Sequence, residues 1–376
     1  MIFLDSASGT KPYKEVIDVI ADVLTNHWGN ASADYSFGQE AQMIIDNVTK
    51  QVAKDINCNT ENIIWTSGAC EANNLAIKGT QNASPYLNFY TTKLEHASIN
   101  KMQYNPVPPK INNDKDGFID CNHLDSLISS CYDSFSAPLV SVCYANSEIG
   151  TIQDIKSISN IVHRHNGLLH VDATQIYPWE SIDVQELGID LMSVSGQKLH
   201  SVKGIGFLYV KDDIKLRPLI SGSQQNGRRA GTLPTHLIAA FGKALEITRN
   251  SNEYNKMYVK ALRNKLLNYM LTIPGVHLNG PNVENNRLPN NISLTIDGIK
   301  AEQLVVMCNE YDIMIAKGSA CQSYNLSPSE TLLAIGLSEE QALSTIRITL
   351  DEFNTVDEIE YVCDILPKII NRLREV

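Results

Sequence analysis

Apolar runs and helical periods alternate through the first two thirds of the chain. "NIIWTS", "LNFYTT", "PLVSVCYA", "GLLHVD" and "DLMSVS" are short and continuously apolar at their centres, the pattern of strands buried on both faces. Between them Ile44, Val48, Val52 and Ile56 recur every four residues, and Ile155, Ile158 and Val162 recur at helical spacing. Each set predicts a helix with one buried face. Strand, helix and strand in succession predict an α/β fold with a mostly parallel sheet covered on both sides. Such sheets bind ligands beyond the carboxyl ends of their strands. The residues just after "IIWTS", "HVD" and "SVS" are therefore expected at one rim. From about residue 255 the pattern changes. "LPNNISLTIDG" and "IRITL" read as strands of a smaller α+β unit, and "LSEEQALSTI" opens with Ser338 and Gln341 in capping-box spacing. Residues 357–376 read as an amphipathic helix. The expected division is a large domain over 14–255 and a small one made of 1–13 and 256–376, with the N-terminal residues near the junction.

Composition narrows the class. With 376 residues, 43% of them apolar, the chain has material for about two globular domains. The net charge of −11 opposes direct binding to nucleic acid or an anionic membrane. No apolar run reaches the roughly 18 residues of a membrane span, and Asp5 interrupts the first apolar run, so neither an anchor nor a signal peptide is expected. Eight scattered cysteines contain no Cys-x-x-Cys pair. That argues against a zinc or dithiol motif, so no metal is expected, and it fits a reducing cytoplasm.

Three features carry chemistry. "GACEANNLAI" is a glycine turn opening a helix, whose unpaired N–H groups suit a phosphate, although such turns are also common without a ligand. "HVDATQ" ends a strand on Asp172, which needs a cationic or donor partner if buried, or else serves as a helix cap. "SVSGQKLHSVKGIG" sets Lys198 at a strand tip among small polar residues. A desolvated lysine there is a nucleophilic amine, while an ordinary turn lysine is the bland alternative. A lysine, an acid for a ring nitrogen and a phosphate cup at one rim are what pyridoxal phosphate (PLP) requires.

The stretches "TSGACEANNLAI", "EHASI", "NSEIGTIQ", "HVDATQ", "SGQKLHSVKGIG", "GRRAGT" and "KGSACQSYNLSPS…RITL" occur in order. Together they resemble the NifS/IscS-like cysteine desulfurases of the class V aminotransferase group, which are fold-type I PLP-dependent transferases. The resemblance covers nearly the whole chain and implies roles at matching positions. Lys198 would hold the cofactor aldehyde and later move the substrate Cα proton. Asp172 would pair with the ring nitrogen and Gln175 with the ring hydroxyl. His96 would lie over the ring as acid and base. Ala69, Cys70, Ser195 and Gln197 would surround the phosphate, and Thr232 would reach the phosphate of a partner subunit. Arg347 would clamp the substrate carboxylate, with Asn146 and Ser147 beside it. Cys321, on the polar run "KGSACQSYN", would take sulfur from L-cysteine as a persulfide, leaving L-alanine. A cytoplasmic homodimer that passes sulfur to an acceptor protein is implied. Iron–sulfur scaffolds, tRNA thiolation and DNA phosphorothioation all remain open as destinations.

The sequence departs from that family in the shell around these residues. Cys70 stands where threonine is usual, Gln197 where histidine is, and Ser147 where a second asparagine is. Tyr35 replaces a histidine, "ISGSQQNG" replaces "HGGGQERG", and "LDEFNT" with Asp351 and Glu352 replaces "LGRFNT". These changes predict a specialised member with a softened phosphate cup. Two other readings stay open: a selenocysteine lyase or other PLP-dependent β-eliminase, and a weakly active PLP-fold scaffold for sulfur transfer.

Overall fold

Strands form where the apolar runs lack a helical period. The computed structural model describes residues 1–104, 107–130, 136–284, 286–318 and 327–375. A short strand β1 (Ile2–Phe3) opens the chain. It is followed by β2 (Ile63–Thr66), β3 (Leu87–Thr92), β4 (Lys110–Ile111), β5 (Ala137–Cys143), β6 (Leu168–Asp172), β7 (Leu191–Ser195) and β8 (Gly206–Val210). The last seven of these make one sheet in the order β2-β8-β7-β6-β5-β3-β4. Pairing is parallel from β7 through β4, as expected, but β8 runs antiparallel to both β7 and β2. The reason is the connection 196–205. It is too short for the crossover a parallel neighbour needs, so the chain turns back and pairs Ser195 with Gly206.

That reversal sets the geometry of the rim. β2 is antiparallel to β8 and so points the same way as β7. The carboxyl ends of β2, β5, β6 and β7 therefore lie together, and the tip carrying Lys198 lies there too. Helices cover the sheet. The helix Ser36–Asp55 buries Ala41, Ile45, Val48 and Val52. Ile44, expected on that face, is only half-buried, because 3.6 residues per turn carries the buried stripe through position 45. The helix Ile155–Arg164 buries Ile155, Ile158 and Val162, and Asp154 caps it.

The C-terminal part contributes β9 (Val276–Leu278), β10 (Asn291–Ile296), β11 (Ile313–Met314), β12 (Ala316–Lys317) and β13 (Thr345–Thr349). Four of them form an antiparallel sheet, β12-β13-β10-β9, while β11 pairs with β1. The capping box at Ser338 and Gln341 forms, and a second one at Thr355 and Glu358 starts the final helix Val356–Arg374. The helix Thr235–Met270 passes unbroken through residue 255, where the sequence pattern changes. One core cluster contains Leu4, Val48, Val171, Leu245 and Ile348, so both sheets and the N-terminal segment share it. No helix among the described residues is long and apolar enough to cross a membrane.

Candidate active site

A cavity of about 420 Å³ opens at the rim where β2, β5, β6 and β7 end. Asp172, the last residue of β6, is 6% exposed there. Its Oδ2 accepts from Asn73 Nδ2 at 2.8 Å and its Oδ1 from the backbone N–H of Thr174 at 3.0 Å. Both partners are neutral. His170, two residues back on the same strand face, bonds through its two ring nitrogens to Ser141 and Ser193, and burial pushes its pKa down to about 4. It therefore contributes no positive charge at neutral pH. A buried carboxylate held by neutral donors is suited to a cationic ligand atom.

Lys198 ends the single 3₁₀ turn Gly196–Lys198 that follows β7. It is half-buried, lines the cavity, and its Nζ donates to the carbonyl of Ser8 at 2.7 Å. Gln175 also lines the cavity and donates to the carbonyl of Ala7 at 3.1 Å. The Thr174 hydroxyl, also in the lining, is buried without a partner. His96 caps the short helix Ala97–Asn100, and its Nδ1 accepts the backbone N–H of Ser98 at 3.1 Å. The proton of the neutral ring thus sits on Nε2. The ring is exposed and lines the cavity, so it is not a packed core histidine.

The cavity lining also includes a glycine corner. Gly68 has φ +143°, and a Cβ on Gly206 would come within 2.8 Å of the Gly68 Cα and 2.4 Å of the Val194 carbonyl. Only glycines allow this approach of the 67–69 turn to β8. The helix Ala69–Asn74 starts there, bringing the backbone of Ala69 and Cys70 to the lining with Ser195 and Gln197. The turn is locked from behind. Arg229 donates from Nε and Nη2 to Glu71 at 2.7 and 3.1 Å, and the second carboxylate oxygen also accepts Ser67 N–H at 2.7 Å. Burial alone would raise the Glu71 pKa, but these hydrogen bonds hold it below the usual range.

Arg347 approaches from the small sheet, at the centre of β13, and is 2% exposed. Its Nη2 donates to Asp5 Oδ1 at 2.6 Å and Ser8 Oγ at 2.9 Å, and its Nη1 donates to the Ser147 carbonyl at 3.3 Å. Its Nε is buried without a partner. Asn146 and Ser147 line the cavity beside it. The Asn146 amide is committed to the loop itself, donating to Leu94 and accepting from the N–H groups of Glu148 and Ile149.

The fold therefore brings eleven of the expected positions to one cavity: Ala69, Cys70, His96, Asn146, Ser147, Asp172, Gln175, Ser195, Gln197, Lys198 and Arg347. Thr232 is exposed and outside this lining. Cys321 lies outside the described residues. Sequence reasoning missed Asn73, Thr174, Asp5 and Ser8 as site residues. Asn73 carried a weak signal, a polar residue that burial leaves on the inner side of the "GACEANN" helix. Asp5 and Ser8 carried another, since "DSASG" is small and polar immediately after an apolar run.

An amine, a buried acid held by neutral donors, a glycine corner with hydroxyl and helix-start donors, and a buried arginine whose Nε–H lacks a partner form a donor set that fits PLP and an amino acid. Comparisons agree with this. The aminotransferase class-V family model matches residues 2–362. Cysteine desulfurase IscS of Clostridium botulinum strain Hall is 36% identical over 389 residues, spanning 100% of this chain and 95% of the relative. The X-ray structure of a NifS-like protein from Rickettsia africae superposes with a TM-score of 0.90 at 28% identity, covering 99% of each chain. The structure titled SspA in complex with cysteine gives a TM-score of 0.78 at 27% identity, covering 94% of this chain and all of the other.

Proposed function

The chain belongs to the aminotransferase class-V family, whose cysteine desulfurase branch uses PLP on a fold-type I scaffold, and on that premise we propose that it is a PLP-dependent L-cysteine desulfurase. The observation that carries the proposal is the gathering of three residues at one cavity: Lys198 just after β7 and the neutrally partnered Asp172 at the end of β6, with Arg347 from the small sheet. When bound, PLP supplies an aldehyde carbon and an electron-withdrawing ring that stabilises negative charge at the substrate Cα. Asp172 would hold the ring nitrogen protonated, and Lys198 would bond the aldehyde carbon at rest and, once released, move the proton at Cα. The Gly68 corner, Ser195 and the first amides of the helix Ala69–Asn74 would hold the phosphate. Arg347 would bind the α-carboxylate, and His96 would exchange its Nε2 proton with the substrate.

The transfer balances without a further reactant. The Cys321 thiolate attacks the cysteine sulfur, an S–S bond forms as the Cβ–S bond breaks, and a proton completes the methyl group of L-alanine. Cys321 then carries the persulfide to an acceptor protein. The net charge of −11 supports a protein acceptor over nucleic acid. No disulfide joins any two of the six described cysteines, which supports a reducing, cytoplasmic setting. On this reading Thr232, exposed and outside the cavity of its own chain, meets the phosphate of a homodimer partner.

The purified protein is expected to be yellow, to form L-alanine from L-cysteine, and to keep the cofactor on the Lys198 peptide after borohydride reduction. Lys198→Ala should abolish alanine formation. Label on another lysine, read by mass spectrometry, would remove the assignment.

A further inference from the structure

The N-terminal segment places a carboxylate of the protein on the arginine proposed to bind the carboxylate of the substrate. Leu4 and Ser6 exchange backbone hydrogen bonds with Thr349, two residues along β13 from Arg347, and Ala7 N–H donates to the Thr349 hydroxyl. Asp5 is thereby set against Arg347, and Ser8, which lines the cavity, follows it and accepts from Lys198 through its carbonyl. The contact is built by the backbone on both sides and is not a chance pairing of long surface side chains.

A guanidinium has two edges that can take a carboxylate through two parallel N–H bonds. One edge pairs Nε–H with a hydrogen of Nη2, and the other pairs a hydrogen of Nη1 with the second hydrogen of Nη2. Both edges therefore need Nη2. In this structure both Nη2 hydrogens are engaged, one by Asp5 Oδ1 at 2.6 Å and one by Ser8 Oγ at 2.9 Å. Nε meanwhile remains buried with no partner. A bidentate ligand can seat only by displacing one of the two. Two carboxylates on one guanidinium repel each other, and the Asp5 side chain is 20% exposed, so it has a path toward water. Ser8 is neutral and can stay.

We propose that Asp5 is an internal stand-in for the substrate carboxylate: it occupies Nη2 of Arg347 in the resting protein, and the amino acid must exchange with it to bind. This rests on Arg347 being the carboxylate clamp. Asp5 then sets the affinity for amino acids through Arg347, as a specificity-determining residue that does not itself touch the reacting atoms. It also keeps the buried cation compensated when no ligand is present.

The test uses the holoenzyme and Asp5→Asn, which keeps the shape and a neutral acceptor but removes the competing charge. KM for L-cysteine and the dissociation constant of L-alanine, read from the cofactor absorption, are expected to fall by about three- to tenfold, the ratio between a charged and a neutral hydrogen bond. The corresponding constants for cysteamine, which has no carboxylate, should stay within about twofold. Asp5→Ser provides a second route to the same sign if the asparagine variant folds poorly, and thermal melting checks both. A raised constant for alanine would mean that Asp5 merely positions Arg347, and an unchanged one that it does not compete; either overturns the proposal. Arg347→Ala separates the underlying reading. If it weakens cysteine but not cysteamine while Asp5→Asn changes neither, the clamp stands and the stand-in falls. If Arg347→Ala affects both alike, the clamp itself is wrong.

Discussion

At the scale of single residues, burial and hydrogen bonding set charge states that the composition does not reveal. Glu95, directly before His96, is 6% exposed; its Oε1 accepts from Thr92 at 2.7 Å and its Oε2 has no partner. Burial raises its pKa to about 7, with Asp172 adding to the rise and Thr92 and Lys110 opposing it. Between the ordinary value of 4.5 and about 7, the folded state holds a proton that the unfolded chain has lost, so stability falls as pH rises through that window. Glu95→Gln should flatten this dependence, recovering on the order of 2 kcal/mol at pH 8 relative to pH 5. Parallel melting curves of parent and variant across pH 5–8 would refute it. Cys70 and Gln197, which line the cavity, are proposed to face the cofactor phosphate. A thiol and a neutral amide donate more weakly to a phosphate than a hydroxyl and an imidazolium. The double variant Cys70→Thr, Gln197→His should release PLP several-fold more slowly on dilution at one pH, since a hydrogen bond to a charged group contributes about 1.5–3 kcal/mol. Equal or faster release would mean that other donors have rebuilt the cup.

At the scale of elements, the site depends on how turns are held. The 67–69 turn has glycine backbone packed on glycine backbone, and its direction is fixed by Glu71 between Arg229 and Ser67 N–H. Glu71→Gln keeps the size but breaks the two-point ion pair and leaves Arg229, which is largely buried, without its counter-charge. The expected loss is about 3 kcal/mol or more of stability, together with faster cofactor loss. Denaturant unfolding of the apoprotein reads the first effect without the second. A midpoint unchanged from the parent would show that the glycines alone hold the turn. The reversed strand β8 works at the same scale. A connection too short for a crossover brings Lys198 to the rim shared by Asp172 and Ser195.

At the scale of the molecule, the N-terminal segment joins the two sheets. It pairs with β11 and β13 and then bonds through Thr10 and Tyr13 to the backbone of Gln197 and His200. Arg347 and Lys198 are thus referred to one short stretch of chain. Thr232 bears on the proposed homodimer. It is exposed and outside the cavity of its own chain. Thr232→Ala should speed PLP release from the dimer while leaving the melting temperature of the apoprotein within about 2 °C, since an exposed side chain contributes little to folding. No change in release, with dimerisation checked by sedimentation, would remove Thr232 from the phosphate contacts.

The sequence by itself determined the strands of the large sheet, the helix faces, the capping boxes and most of the cavity lining. These follow from local periodicity and from glycine, serine and lysine at strand ends, which act over a few residues. It also carried the family resemblance, with Lys198 and Asp172 as its centre. Three things were decided only by tertiary structure. The place of β8 between β7 and β2 depends on β2, a strand far earlier in the chain, packing against the returning chain. The pairing of Asp172 with Asn73 joins residues far apart in the chain, as does the contact of Asp5 with Arg347. Such contacts leave no period in the sequence, because each is a single meeting of two side chains brought together by the packing of whole elements.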